Sequence, residues 1–70
     1  MIPLNYADTG ETQIIKKIGG GPEVQQHLKD LGFTVGSEVL IVSTLSGNLI
    51  VKVRESRIAL SNELARRIMV

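Results

Sequence analysis

Apolar residues recur at helical spacing in one stretch of the chain. Val24, Leu28 and Leu31 stand at i, i+4 and i+7, which places them along one stripe of an α-helix. Pro22 suits the first helical position because its missing N–H would have no helical partner there. The pattern therefore predicts one amphipathic helix over about residues 22–31.

The break after this helix is the most informative local feature. From Leu28 to Gly36 the chain reads Leu-Lys-Asp-Leu-Gly-Phe-Thr-Val-Gly. Gly32 suits the left-handed conformation that commonly follows the last turn of a helix, and Phe33 can then pack back on Leu28. Gly36 turns the chain again, into an apolar run that starts at Val39. We interpret this stretch as the closure of a small sheet by one helix, and it contains no catalytic group.

The remaining segments alternate between apolar and polar residues in the manner of short strands. We predict strands over residues 11–18, 37–44, 48–54, 57–60 and 68–70, with tight turns at residues 46–48 and 55–56. Alternation is imperfect around Lys16 and Lys17, which predicts a bulge there. Ser61 suits the N-cap of a short helical turn near residues 62–65. About five short strands at this spacing predict a mainly β fold, a small barrel that removes free sheet edges.

Two of the predicted strands carry apolar residues on both faces. One face of each strand fills the barrel. The other face holds Leu40, Val42 and Ile50. These three residues either lie under the helix or form an exposed patch for a partner, and they are the candidate partner-binding residues.

Length and composition limit the functions that need to be considered. The 70 residues predict a single domain over residues 1–70, and the absence of cysteine excludes disulfides and thiolate metal sites. A net charge of +1 does not indicate a nucleic-acid binder. The longest apolar run, residues 39–42, is too short to span a membrane, and the N-terminus lacks the pattern of a signal peptide. We therefore expect a cytoplasmic protein without membrane insertion.

One group of polar residues has the spacing of a metal site. Glu23, His27 and Asp30 stand at i, i+4 and i+7 on one face of the predicted helix. One imidazole nitrogen and two carboxylates can bind a divalent transition metal such as Fe(II), with water in the remaining positions. The alternative is an ordinary solvated helix face.

No catalytic or cofactor-binding residue is predicted. No serine lies in a strand–turn–helix elbow, and no glycine-rich loop carries the lysine that phosphate binding requires. Gly19-Gly20-Gly21 precedes a helix, but Pro22 removes a donor and Glu23 would repel an anion. The sequence therefore predicts a protein that is not an enzyme.

Taken in order, these segments resemble the FeoA family of small accessory proteins in bacterial ferrous iron transport. The segment from Leu28 to Gly36 is close to the family pattern L-x-x-L-G-[aliphatic or aromatic]-x-x-G. The other matching segments are Glu11 to Gly20, Leu49-Ile-Val-Lys-Val, Arg57-Ile-Ala-Leu and Glu63 to Val70. The resemblance spans nearly the whole chain, and the matching positions are architectural rather than catalytic.

The resemblance implies both a fold and a partner. The fold would be an SH3-like β-barrel with an added helix, as in the C-terminal domain of DtxR-type metal-dependent repressors. The function would be a non-enzymatic cytoplasmic one: docking on FeoB, the membrane GTPase that moves Fe²⁺, and modulating its assembly or activity. The alternative is a metal-responsive regulatory domain that binds Fe(II) directly. Family members often carry a basic or polar residue where His27 stands, so the resemblance does not make His27 a ligand, and a weak homo-oligomer is left open.

Overall fold

The computed structural model describes all residues, 1–70. Its strands are β1 (Thr12–Ile14), β2 (Lys17–Ile18), β3 (Glu38–Leu45), β4 (Asn48–Val53), β5 (Ser56–Ser61) and β6 (Ile68–Met69). Its helices are a 3₁₀ helix (Leu4–Tyr6), α1 (Pro22–Asp30) and α2 (Asn62–Ala65). The mainly β fold, the single long helix and the short second helix are confirmed.

The strands form two antiparallel sheets. One has four strands in the order β1-β3-β4-β5, and the other pairs β2 with β6. The change of sheet occurs between Ile15 and Lys16. The Ile15 N–H donates to the Ser37 carbonyl at 2.9 Å, whereas the Lys16 N–H donates to the Met69 carbonyl at 2.7 Å. The irregularity predicted here is therefore a break between two strands, which is why the chain has six strands rather than five.

Both hairpins of the four-stranded sheet use two-residue turns. Ser46 and Gly47 join β3 to β4, and both have positive φ, at 49° and 81°. Such angles suit the right-handed twist of the paired strands. Arg54 and Glu55 join β4 to β5, with Arg54 at a φ of 56°. The second turn therefore lies one residue earlier than the predicted 55–56.

The C-terminal end of α1 has the predicted capping geometry. Gly32 has a φ of 105°, its N–H donates to the Lys29 carbonyl, and the Phe33 N–H donates to the Leu28 carbonyl at 2.9 Å. This pair of hydrogen bonds is the Schellman motif. Leu28 and Phe33 are both fully buried. The turn at Gly32 therefore places Phe33 in the core beside Leu28, as the sequence predicts.

A single cluster of 13 buried hydrophobic residues forms the core, and no buried residue is polar or charged. The cluster consists of Leu4, Ile15, Leu28, Phe33, Val39, Ile41, Leu49, Val51, Val53, Leu60, Ala65, Ile68 and Val70. The predicted inner face of β4 is confirmed, because Leu49, Val51 and Val53 all belong to it. The predicted N-cap of α2 is also confirmed, because Ser61 Oγ accepts the Leu64 N–H at 3.2 Å.

The barrel closes without a continuous ring of paired strands. The two ends of the chain meet, with the Ile2 N–H donating to the Val70 carbonyl at 2.9 Å and the Val70 N–H donating to the Ile2 carbonyl at 2.8 Å. β5, however, pairs with β4 alone. The far side of β5 therefore has no strand partner, and the expectation that the barrel leaves no free edge is wrong.

Candidate functional site

The outer face of the four-stranded sheet carries apolar residues that do not belong to the core. Successive side chains of a strand point to opposite faces, so the neighbours of the buried Ile41 and Val51 point away from the core. The strand register sets two rows on this outer face. One row is Thr12, Leu40, Lys52 and Arg57, and the next is Ser43, Ile50 and Ala59.

The three candidate partner-binding residues lie together on this surface. Leu40, Val42 and Ile50 are each partly buried, and none of them belongs to the side chains that form or pack against the core. Val42 sits at an irregularity of β3, between Ile41 and Ser43, where the pairing register shifts by one residue. The inward side chains of α1 are instead Leu28, in the core, and Val24, packed against it. We call Leu40, Val42 and Ile50 the outer patch.

Basic residues border the outer patch on one side. Lys52 and Arg57 stand directly opposite each other across β4 and β5, and both are exposed. Like charges at opposed positions destabilise a pair of strands. Lys52 also lines a shallow hollow of about 390 Å³ together with Arg54, Glu38 and Leu40. The outer face therefore combines apolar side chains with a rim in which positive charges outnumber negative ones.

This combination suits a protein surface better than a small molecule. Apolar residues surrounded by polar ones are typical of protein–protein contacts. A charged rim adds steering and selectivity for a partner of opposite charge. The arrangement is chemically complementary to an apolar protein surface edged with carboxylates.

The sequence reasoning missed the pair Lys52 and Arg57, although a signal was present. The two residues are placed symmetrically about a two-residue turn at Arg54 and Glu55. A turn one residue later would set Lys52 opposite Ala59 instead. The predicted turn at 55–56 therefore gives Lys52 the wrong cross-strand partner.

The candidate metal ligands lie elsewhere, on α1. Glu23, His27 and Asp30 are all exposed, and Asp30 Oδ1 accepts a hydrogen bond from Gln26 Nε2 at 2.8 Å. No group of three or more His, Cys, Asp and Glu side chains in the chain is placed to hold a metal ion. The three residues share a helical face, as predicted, without converging on one point.

None of the helices has the length and apolar character that crossing a bilayer requires.

The architecture is that of an SH3-like barrel with an added helix. A solved structure of FeoA from Stenotrophomonas maltophilia, described as a prokaryotic SH3 domain protein in complex with zinc, superposes with a TM-score of 0.85. It is 23% identical, and the match covers 99% of this chain and 88% of that one. The predicted fold class is confirmed.

Sequence comparison then gives the family. The profile of the FeoA domain matches residues 2–70, so the chain belongs to the FeoA family. A protein of Methanocaldococcus jannaschii, provisionally named Fe(2+) transport protein A, is 37% identical over all 70 residues, which cover 85% of that protein. A crystal structure described as the iron uptake regulatory protein FeoA is 30% identical, with a TM-score of 0.87 and coverage of 96% of this chain and 89% of that one.

Proposed function

We propose that this protein is a non-enzymatic accessory component of ferrous iron transport, which docks through the outer patch on the cytoplasmic side of a FeoB-type membrane GTPase and modulates its assembly or activity. The observation that carries the proposal is membership of the FeoA family along nearly the whole chain. The names of the relatives agree with it. The Methanocaldococcus relative is named for Fe(2+) transport, and the Stenotrophomonas protein has been suggested to act as a bacterial ferrous iron transport activating factor.

The distribution of polar groups supports a function at the surface. All 13 buried residues are apolar, so the interior offers no acid, base or nucleophile to a substrate. The outer patch presents three partly buried apolar side chains on a rigid sheet. A sheet face positions such side chains more accurately than a loop, which favours binding to a defined surface of a partner.

The alternative is a metal-responsive regulatory domain that binds Fe(II) through Glu23, His27 and Asp30. Its support is the zinc in the Stenotrophomonas structure. NMR spectra recorded during titration with Mn²⁺, a paramagnetic substitute for Fe²⁺, separate the two proposals. Line broadening confined to this face of α1 would favour the metal-responsive domain, and the absence of localised broadening would eliminate it.

Capture of the cognate transporter tests the docking proposal. Ile50 is replaced by Glu because this introduces a charge into the apolar outer patch, between the uncharged cross-strand neighbours Ser43 and Ala59. The matched control is Tyr6→Ser, which removes a side chain that is 73% exposed on the 3₁₀ helix. We expect Ile50→Glu to weaken capture by about tenfold or more, the loss typical of a central interface residue, and Tyr6→Ser to leave it unchanged.

Thermal unfolding of each variant verifies that the fold is retained. The proposal fails if the wild-type protein captures no transporter and deletion of its gene leaves ferrous iron uptake intact. Equal capture by Ile50→Glu and wild type would reject the outer patch as the docking surface.

A further inference from the structure

A second surface, separate from the outer patch, lies beside α1. A groove of about 570 Å³ runs between α1 on one side and the segments 16–18 and 33–35 on the other. Its lining includes Lys16, Lys17, Gln25, Gln26, Lys29 and Val35. None of these residues belongs to the outer patch, and the proposed docking function does not use them.

The charge of the groove is one-sided. Three of the four lysines of the chain line it, Lys16 and Lys17 on one wall and Lys29 on the other, and no lining residue is acidic. No side-chain hydrogen bond in the structure involves a lysine. The three ammonium groups are therefore available to a ligand without the loss of an existing hydrogen bond.

The acidic residues of α1 face another direction. Pro22, Gln26 and Lys29 line the groove at i, i+4 and i+7, whereas Glu23 and Asp30 each follow one residue later and do not line it. One residue is a rotation of about 100° around a helix. Asp30 does not line the groove, although its carboxylate accepts a hydrogen bond from Gln26, which does. The lining itself therefore carries positive charge without any negative charge.

We propose that this groove binds an extended acidic segment of a protein partner. Carboxylates of the segment pair with Lys16 and Lys17 on one wall and with Lys29 on the other. An apolar side chain of the segment covers Val35, a lining residue that is 66% exposed. The carboxamides of Gln25 and Gln26 line the same groove, and each donates one N–H within the chain, to the Gly20 carbonyl and to Asp30 Oδ1. The second N–H and the oxygen of each carboxamide can hydrogen-bond to a peptide backbone.

A peptide fits this surface better than a nucleic acid. Single-stranded nucleic acids bind by stacking bases on exposed aromatic rings, and the only aromatic ring in the groove, Phe33, is fully buried. The groove also contains no arginine, the residue whose planar fork suits phosphate. The groove offers ammonium groups around an apolar edge. These groups complement a peptide in which carboxylates alternate with an apolar side chain.

NMR titration of the full chain tests the inference without a transporter. One probe is an acetylated decapeptide with four glutamates, two leucines and four serines, and the matched probe replaces each glutamate with glutamine. We expect the acidic peptide to shift resonances of the groove lining, with affinity that falls as salt is raised, because exposed charges are screened. The glutamine peptide should bind at least about tenfold more weakly.

Charge reversals on the two walls locate the site. Lys17→Glu and Lys29→Glu should each weaken binding of the acidic peptide by about fivefold or more, while the matched reversal Arg66→Glu, on an exposed residue outside the groove, leaves it unchanged. Because the two groove variants lie on different elements, each checks the other if one alters the fold. Equal binding of both peptides, shifts confined to the outer patch, or binding to anionic lipid vesicles but to neither peptide would overturn the inference.

Discussion

The two faces of the four-stranded sheet differ in how far their apolar side chains are buried. On the inner face, Ile41 and Val51 are almost completely buried and belong to a core without any polar group. On the outer face, their chain neighbours Leu40 and Ile50 are only partly buried, although they are equally apolar. The apolar side chains of the inner face are therefore covered by the rest of the chain, whereas those of the outer face stay partly in contact with water.

The charges reinforce this difference. The inner face has no charge to compensate, while the outer face sets Lys52 directly opposite Arg57. Opposed like charges lower the stability of a sheet, so selection for stability alone would not favour them. Features that oppose stability are expected where a surface serves a function. The comparison therefore assigns folding to the inner face and agrees with the proposal that the outer face is the docking surface.

The largest effect on stability is expected at Ile41, and its neighbour Leu40 on β3 provides the comparison. Ile41→Ala should destabilise the protein by about 2–5 kcal/mol, because it leaves a cavity in a closely packed core. A chain of this size is stable by only about 4–10 kcal/mol, so this change removes a large share of the total. Leu40→Ala, one residue away on the outer face, should cost about 1 kcal/mol or less. Urea denaturation of the two variants measures both free energies of unfolding.

The pair of variants is its own control, because both changes shorten an aliphatic side chain of the same strand to alanine. Equal losses at the two positions would contradict the assignment of folding to one face. A large loss at Leu40 alone would mean that the outer patch belongs to the core and is not available to a partner.

Local patterns explain why much of this fold could be predicted from sequence. The stripe of α1, the stop at Gly32 and the alternation of Leu49, Val51 and Val53 depend on residues a few positions apart. The break between Ile15 and Lys16 depends instead on hydrogen bonds to Ser37 and Met69, which are distant in the chain. No local periodicity records such pairing, so the segment 11–18 looked like one strand.

The surface features divide in the same way. The placement of Leu40, Val42 and Ile50 on the face away from the core can be predicted, because surplus apolar residues are visible along a strand. The opposition of Lys52 and Arg57 cannot, because it requires the position of the turn to within one residue. The groove beside α1 was also missed, since the packing of the helix brings Lys29 near two lysines about a dozen residues earlier in the chain.

A second, smaller effect on stability is expected at the turn after α1, which places Phe33 in the core. Gly32→Ala should destabilise the protein by about 1–2 kcal/mol, because an L-residue with a side chain is strained at its φ of 105°. Crowding does not contribute, since the added Cβ would lie 3.7 Å from the nearest atom, in Val53. Gly19→Ala is the matched control, with ordinary contact at 3.6 Å and no left-handed backbone.

Thermal unfolding of the two glycine variants distinguishes strain from a general effect of added bulk. The control should stay within about 0.5 kcal/mol of the wild type. A similar loss in both variants would contradict the explanation by backbone conformation, and no loss at Gly32 would mean that the turn after α1 relaxes into another geometry.

The smallest effect tests the outer face directly. Lys52→Glu should stabilise the protein by about 0.2–1 kcal/mol, because it replaces a like-charge pair with a carboxylate opposite Arg57. The gain should shrink at high salt, since exposed charges are screened. Lys52→Gln should give a smaller gain, because it removes the repulsion without adding an attraction, and it controls for the new charge near Glu38. If Lys52→Glu also weakens capture of the transporter, the like-charged pair of Lys52 and Arg57 is kept for recognition at the expense of stability. A loss of stability that is independent of salt would instead show that Lys52 has a structural role. The two faces of the sheet would then be less distinct than their charges indicate.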